Sequence, residues 1–437
     1  MNGYELIAKI AEESRDEMIA RRRDFHKHAE TGWFEMRTSS LIARELTNLG
    51  YEVLMGEEVC DPEARMGVPS DKELEAGYER AIAQGADPEL VERTRGGKTG
   101  VIGILRCGEG PTVAMRFDID ALGVFESNEP DHRPAAEGFA STNYGSMHAC
   151  GHDGHGTIGL GVAKALMAVK DQLHGTVRII FQPAEEGVRG AKGIVEKGHL
   201  DNVDYFLSGH LSGQKEGNPG QFVANSYGAL ATCKYDAVYH GLAGHAGGSP
   251  NSGKNAMLAA CTAVLNLQAI PRHGAGATRI NVGRLVAGSG RNVICDEAKL
   301  ELEVRGATEA LNTYMCEHAE RILKAAADMH DCTVDIKLMG SAIPLRSDPE
   351  LAARVRQTAE EKMGLIHDAR QTFESKGSED CSYMMKRVQE QGGQAVFMRI
   401  MTPMYGAAHD RRYDFCEDVL PVGVKLYAGA VLELMSK

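Results

Sequence analysis

Apolar and charged residues alternate at helical spacing over residues 5–23, a run that ends in Arg21-Arg22-Arg23. A second helical pattern, residues 36–49, stops at Gly50, a residue suited to the left-handed position just past a helix. From Gly56 to Gly100 the chain turns polar and charged, with one helix expected near 71–84. This stretch reads as an insertion packed on the surface or at an interface rather than as core. Residues 101–105 and 112–117 then run apolar or alternate as buried strands do, and the second leads into Asp118-Ile-Asp120. An apolar helix follows at 158–169, then a β-branched strand at 177–182 stopped by Pro183, and a short strand at 203–207 leading to His210. Strands alternating with helices predict a wound, mostly parallel α/β sheet, and such sheets bind ligands beyond the carboxyl ends of their strands. Asp118, Asp120, Glu185, Glu186 and His210 all fall just after a predicted strand.

Near residue 229 the pattern changes to strand 232–240, helix 254–269, strands 278–286 and 298–305, helix 308–329 and strand 332–338. That βαββαβ order is the ferredoxin-like arrangement, a self-contained small domain. The expected fold is therefore α/β in two domains, as the 437-residue length also suggests. A mostly parallel wound-sheet domain comprises residues 1–228 and 339–437, with a surface insertion at about 56–100. The small domain, residues 229–338, is inserted into it. The glycine-rich Gly241-Leu-Ala-Gly-His-Ala-Gly-Gly-Ser-Pro250 follows its first strand and looks built to reach a substrate. Its half-open sheet offers an edge strand for self-pairing, so it is expected to act as a lid and to make a dimer.

Hydrophobic residues are 43% and charged residues 25% of the chain, the composition of an ordinary globular protein. A net charge of −13 weighs against a nucleic-acid partner. No apolar run approaches the roughly 18 residues that cross a bilayer. The N-terminus lacks a basic-then-apolar signal pattern, so no membrane partner and a cytoplasmic location are expected. Ten scattered cysteines without Cys-x-x-Cys fit free thiols rather than a disulfide framework.

The densest chemistry lies in Met147-His-Ala-Cys-Gly-His-Asp-Gly-His-Gly156. Its glycines let the backbone turn sharply, so Cys150 and His152 could face one point, and thiolate and imidazole are the usual ligands of zinc-like metals. A polar loop with a buried thiol is the plainer alternative. In Gln182-Pro-Ala-Glu-Glu-Gly187, the adjacent carboxylates repel unless a cation sits between them or one is protonated. With His210 and His409 the donors suffice for two metal ions sharing a bridge, which can acidify a water and polarise a carbonyl. A thiol redox role for Cys150 is weakened by the lack of a nearby second cysteine. The methionine pairs Met384-Met385 and Met401/Met404 read as core or pocket lining.

Five stretches together resemble the M20 metallopeptidase and amidohydrolase family, in its aminoacylase-like branch with a cysteine ligand. They are Arg22-Arg-Asp-Phe-His-Lys-His-Ala-Glu-Thr-Gly, Met115-Arg-Phe-Asp-Ile-Asp-Ala-Leu, the His-Cys-His loop, Phe181-Gln-Pro-Ala-Glu-Glu-Gly and Gly377-Ser-Glu-Asp. The resemblance implies two divalent ions, Mn²⁺ or Zn²⁺, with Cys150 bridging and His152, Glu186, His210 and His409 completing the ligands. It implies Glu185 as general base and His245 as the donor to the scissile carbonyl, often in the site of the opposite chain. Asn292 and Arg305 would hold a substrate carboxylate, a task that suits the arginine fork. His26, His28, His148 and His155 would be supporting rather than ligating. The implied reaction is hydrolysis of an N-acyl amino acid, an aroyl-glutamate first, with an indole conjugate as the alternative. The assembly would be a homodimer or a heterodimer with a related chain, and a chain inactive without its partner is a further alternative. Two positions depart from the pattern: Ala29 stands where many relatives have proline, and Asp410 follows His409.

Overall fold

The structure, a computed structural model, describes residues 1–214 and 220–436. Its strands are β1 (Glu52–Met55), β2 (Val101–Arg106), β3 (Thr112–Asp118), β4 (Thr176–Gln182), β5 (Tyr205–Gln214), β6 (Gln221–Val223), β7 (Ser226–Gly228) and β8 (Ala231–His240). They continue as β9 (Thr278–Ala287), β10 (Glu297–Gly306), β11 (Thr333–Ala342), β12 (Leu345–Arg346), β13 (Ile366–His367), β14 (Phe373–Ser375) and β15 (Gln394–Pro403). Eight of them form one sheet in the order β1-β2-β4-β3-β5-β15-β6-β13.

Side-chain alternation along these strands divides two cores. Val113, Met115, Phe117, Val177, Ile179, Leu207 and Met398 join the core beneath the helices Gly3–Glu13, His152–Ala168 and Leu420–Met435. Ala114, Ile180, Phe206 and Phe397 join a second core on the opposite face. A sheet buried on both faces needs near-continuous apolar runs, which β2 to β4 supply. The central strands β4, β3, β5 and β15 pair in parallel, as do β6 and β13, whereas β1–β2, β2–β4 and β6–β15 are antiparallel, so the sheet is mostly parallel with antiparallel pairings added toward its edges.

Other expectations are corrected in detail. The first helical run is two helices, Gly3–Glu13 and Arg15–Lys27, parted at Ser14, a residue whose hydroxyl competes for backbone partners. Segment 56–100 is not excluded from the core. Val59, Leu74, Ala81 and Val91 pack with Trp33 in the second core, because the helix Asp71–Ala83 keeps an apolar stripe despite its charge. The helix after the His-Cys-His loop begins at His152, earlier than expected, since its many glycines hide the helical pattern. β5 extends to Gln214, so His210 lies within a strand rather than after one. Ser208, Gly209 and Ser212 are poor strand formers, but pairing with β15 along its whole length overrides that.

The chain leaves this sheet through a small three-stranded one, ordered β12-β7-β14. Between β7 and β12 lie β8, a helix (Ala256–Gln268), β9, β10, a helix (Glu309–Asp328) and β11. The four strands are ordered β11-β8-β10-β9, all neighbours antiparallel, and the helices cover one face around Tyr239, Leu300, Met315 and Leu323. β9 is an edge whose residues are mostly exposed. Among the described residues, no helix is long and apolar enough to cross a membrane.

Candidate metal centre and active site

Gly151 adopts φ 92°, a left-handed conformation open to glycine, and caps the helix that begins at His152. This reversal turns the Cys150 thiol and the His152 ring toward the same space. The ligand atoms of Cys150, His152 and His210 lie within 4.8 Å of one another, as do those of Cys150, Glu186 and His409. Cys150 is common to these two groups. Its Sγ is 3.4 Å from His210 Nε2.

The imidazoles of His152 and His210 are held so that Nε2 points inward. His152 Nδ1 donates to the Asp120 carbonyl at 2.9 Å, and His210 Nδ1 donates to the Leu211 carbonyl at 2.5 Å. Fixing the far nitrogen in this way sets the tautomer that a metal ligand needs. His409 enters from a loop, takes φ 68° and is tied to the His-Cys-His loop by its own N–H, 2.7 Å from the Ala149 carbonyl. Its Nε2 is 3.6 Å from Glu186 Oε1, which lies 3.9 Å from His152 Nε2.

The paired glutamates diverge because of the turn before them. Ala184 has φ 51°, and its N–H donates to the buried Glu35 carboxylate at 2.7 Å. Glu186 N–H donates to Asp120 Oδ2 at 2.9 Å. The Glu185 carboxylate also meets Glu379 and Asp380, with all three within 4.8 Å. Beneath this group, buried Arg116 donates to Gln182, Asp118 and Glu379 at 2.7, 2.7 and 2.9 Å. The buried side of the glutamate pair therefore carries a fixed positive charge.

Burial, with Glu379 and Glu186 close by, pushes Glu185 well above the usual carboxylate range. Burial raises Glu186 to about 7, against the pull of His152 and with the push of Asp120. Burial and Glu186 together raise the Cys150 thiol. Burial lowers His210, and His155 and Arg399 lower it further. The protein alone thus gathers more buried acid groups than it can ionise, a charge deficit that divalent ions would remove. Two atoms support that fit: His152 Nε2 and Glu186 Oε1 are buried without a hydrogen-bond partner. Cys, His and carboxylate are donors suited to zinc-like or manganese-like ions.

The other histidines of the matched stretches differ in their partners, and His155 itself groups with Asp118 and His152 within 4.8 Å. His155 uses both nitrogens, on Asp118 through Nδ1 and on the Leu211 N–H at 2.9 Å through Nε2. His26 lies between Asp153 and Glu126, at 2.8 and 2.9 Å. His28 Nδ1 donates to the Asp24 carbonyl at 2.9 Å. His148 is buried beside His26 with neither ring nitrogen bonded. Asp410 accepts from the Arg412 N–H at 2.8 Å within its own loop. At the other departure, the Ala29 carbonyl accepts from Asn143 Nδ2 at 2.9 Å.

Cys150, Glu186, His210 and His409 open with Glu185 into a cleft of about 390 Å³, also lined by Lys234, Arg305, Glu379 and Arg399. Arg305 is held by Glu303, Nε to Oε1 at 3.1 Å, and faces the cleft from the small domain. His245 and Asn292 do not line it. They sit side by side in the small domain, where the Ala246 N–H donates to the Asn292 carbonyl at 3.1 Å. His245 is exposed, and its Nδ1 accepts from the N–H groups of Gly247 and Gly248 at 3.1 and 3.0 Å. Arg116 and Arg399 are site residues that the chain's local pattern does not single out. A lone arginine inside an otherwise apolar strand is the available signal for both.

Fold and site together are those of an amide-bond hydrolase. The chain belongs to the peptidase family M20/M25/M40, which residues 114–433 match. It is 43% identical over 413 residues to one of the subunits of the p-aminobenzoyl-glutamate hydrolase of Escherichia coli strain K12, covering 94% of each chain. It is 43% identical over 414 residues to the indole-3-acetyl-aspartic acid hydrolase of Enterobacter agglomerans, again over 94% of each. An aminobenzoyl-glutamate utilization protein from Klebsiella pneumoniae shares the fold at a TM-score of 0.83, with 37% identity and 97% of each chain covered.

Proposed function

We propose that this protein hydrolyses the amide of an N-acyl amino acid, aminobenzoyl-glutamate foremost, at a dinuclear metal centre. The observation that carries the reading is the convergence of Cys150, His152, Glu186, His210 and His409, with two buried donor atoms left unpaired. These residues would hold two divalent ions, Mn²⁺ or Zn²⁺, whose chemistry is to lower the pKa of water and polarise a carbonyl.

Glu185 takes the proton of the attacking water and passes it to the leaving nitrogen. Water oxygen bonds to the acyl carbon, the carbon–nitrogen bond breaks, and an acid and a free amino acid leave. Burial and the neighbouring Glu379 and Glu186 carboxylates raise the pKa of Glu185, which favours its holding the proton until the leaving nitrogen takes it. Arg305, already in the cleft, binds the amino acid's carboxylate, and Asn292, which sits beside His245 outside the cleft, joins it from a second chain.

His245 acts from a second chain. Its exposed ring, with Nδ1 accepting from two backbone N–H groups, leaves Nε2–H free to donate to a developing oxyanion. The ferredoxin-like small domain, about residues 229–338, serves as lid and dimer contact. It carries exposed Leu242, Met257, Leu258, Leu265, Leu285 and Val286, together with the open edge of β9. The Escherichia coli relative is named as one subunit of its enzyme, so a related second chain is the alternative partner.

The test is metal analysis of the purified protein together with assays on aminobenzoyl-glutamate and other acyl amino acids under each metal. Two ions per chain and acyl-amino-acid hydrolysis are expected. A chain that binds no divalent ion would refute the reading.

A further inference from the structure

Arg399 lies in β15 as the parallel register neighbour of His210, so both side chains leave the sheet on the same face. It lines the cleft with the metal-binding cluster. Its guanidinium lies 4.8 Å from the ring centres of both Phe373 and Phe397, which fix its plane. Nη2 donates to Ser375 Oγ at 2.9 Å, but Nε is buried with no partner. Among the described residues no carboxylate forms an ion pair with it. The nearby acids are otherwise engaged: Glu379 accepts from Arg116 at 2.9 Å, and Glu185 faces Glu379 and Asp380. The contrast with Arg305 is direct, since that arginine is already forked onto Glu303.

A guanidinium held rigid, partly desolvated and lacking an anion is costly to keep unless a ligand supplies the charge. We propose that Arg399 is a specificity residue that binds the side-chain carboxylate of the substrate's amino acid, so that the enzyme selects acyl conjugates of dicarboxylic amino acids. The inference rests on the acyl-amino-acid hydrolase reading above. Arg305 is left for the carboxylate every amino acid carries, and Arg399 reads the second, which only acidic residues have. Exposed Lys376 and half-buried Lys234 on the same cleft add positive charge toward its mouth.

The test combines two substrates with two proteins. Aminobenzoyl-glutamate and aminobenzoyl-glutamine differ by one charge at equal size. The wild-type protein is expected to prefer glutamate by roughly 10- to 100-fold in kcat/KM, the worth of charge-assisted hydrogen bonds. Arg399→Met is expected to lose that preference through KM for glutamate, with a much smaller fall in glutamine hydrolysis. Arg399→Lys should restore part of it. Isothermal titration with glutamate and glutamine as free products gives the same comparison without turnover. A wild-type protein that hydrolyses both substrates equally well would overturn the proposal. So would an Arg399→Met protein, folded by its melting temperature, that loses activity equally on both. Failure to cleave any acyl amino acid under any metal would instead overturn the hydrolase reading on which the proposal rests.

Discussion

Exchanging either glutamate of the pair for glutamine separates proton transfer from metal binding. Glu185 lies among Glu379 and Asp380, whereas Glu186 Oε1 is 3.6 Å from His409 Nε2 and 3.9 Å from His152 Nε2. Glu185→Gln keeps shape and hydrogen bonding but cannot accept a proton. Loss of general-base catalysis costs about 10²–10⁴-fold in rate, some 3–5 kcal/mol of barrier. Metal content should stay at the wild-type level, since Glu186 Oε1 lies between the His152 and His409 rings, whereas Glu185 approaches His152 alone, at 4.0 Å. Stability should hold or rise slightly, because one of three crowded acids becomes neutral.

Glu186→Gln replaces an anionic donor by a neutral one between two imidazoles. Even the loss of a partner that only orients a ligand lowers metal affinity about 10–100-fold. Glu186→Gln should therefore lose metal first and activity with it. Both proteins are to be measured by metal analysis after dialysis against graded chelator and by steady-state kinetics at saturating metal. Full turnover by Glu185→Gln would sink the assignment. Metal loss confined to Glu185→Gln would mean that the two roles are reversed.

Four further outcomes are expected. Gly151→Ala places a Cβ 2.8 Å from Tyr413 Oη at φ 92°, so a stability lowered by about 1–2 kcal/mol of left-handed strain, with weakened metal binding, is expected in thermal melts; an unchanged protein would contradict the hinge role of Gly151. Arg22 is fully buried and pairs with Asp414 at 2.8 Å and Glu417 at 3.3 Å, so Arg22→Met should cost about 3–5 kcal/mol in denaturant titration by stranding buried acids. Burial opposes ionisation of Asp414 and Glu417, but Arg22 and Arg133 outweigh it for Asp414, and the same two with Arg23 for Glu417, holding both below their usual values. Their contribution is thus present above the unfolded values near 4 and is lost as pH falls through the folded ones. Acid unfolding monitored by circular dichroism should begin below about pH 4 for wild type and shift upward in the Arg133→Met protein, where no shift would show that these pairs are inert. Finally, co-expressing His245→Ala with Glu185→Gln should restore about a quarter of activity if His245 serves the opposite chain, since half the dimers are mixed with one intact site each. No recovery in verified mixed dimers would place His245 in its own chain or outside the reaction.

Those features that depend on local pattern were legible in the sequence. The helix Met36–Leu49 and its end at Gly50 follow from apolar spacing and one glycine. The βαββαβ element order of the small domain likewise follows from period changes along the chain. What failed was set by partners distant in sequence. β5 runs past His210 because β15 pairs with all of it, and nothing near Ser208-Gly209 announces that. Segment 56–100 reads by composition as an insertion packed on the surface or at an interface, yet Leu74 and Val91 complete a core with Trp33 and Ile102 that only the fold assembles.

The same distinction runs through the site. Cys150, His152, Glu185 and Glu186 could be read locally because ligand chemistry demands reactive residues close together on sharp turns. Arg399 could not, because its meaning comes from what surrounds it: two phenylalanine faces, one serine hydroxyl and, among the described residues, no carboxylate in an ion pair with it. An arginine on a strand is ordinary until its neighbours are known to leave a donor unpaired. His245 and Asn292 are a third kind. They are adjacent to each other yet absent from the cleft their own chain forms, although Arg305 from the same domain reaches it. If the small domain only folded over its own cleft, the loop bearing His245 would line it as Arg305 does. Its placement away from that cleft, on a domain with an open edge strand and several exposed apolar side chains, supports the proposal that His245 serves a second chain, which the co-expression of His245→Ala with Glu185→Gln tests.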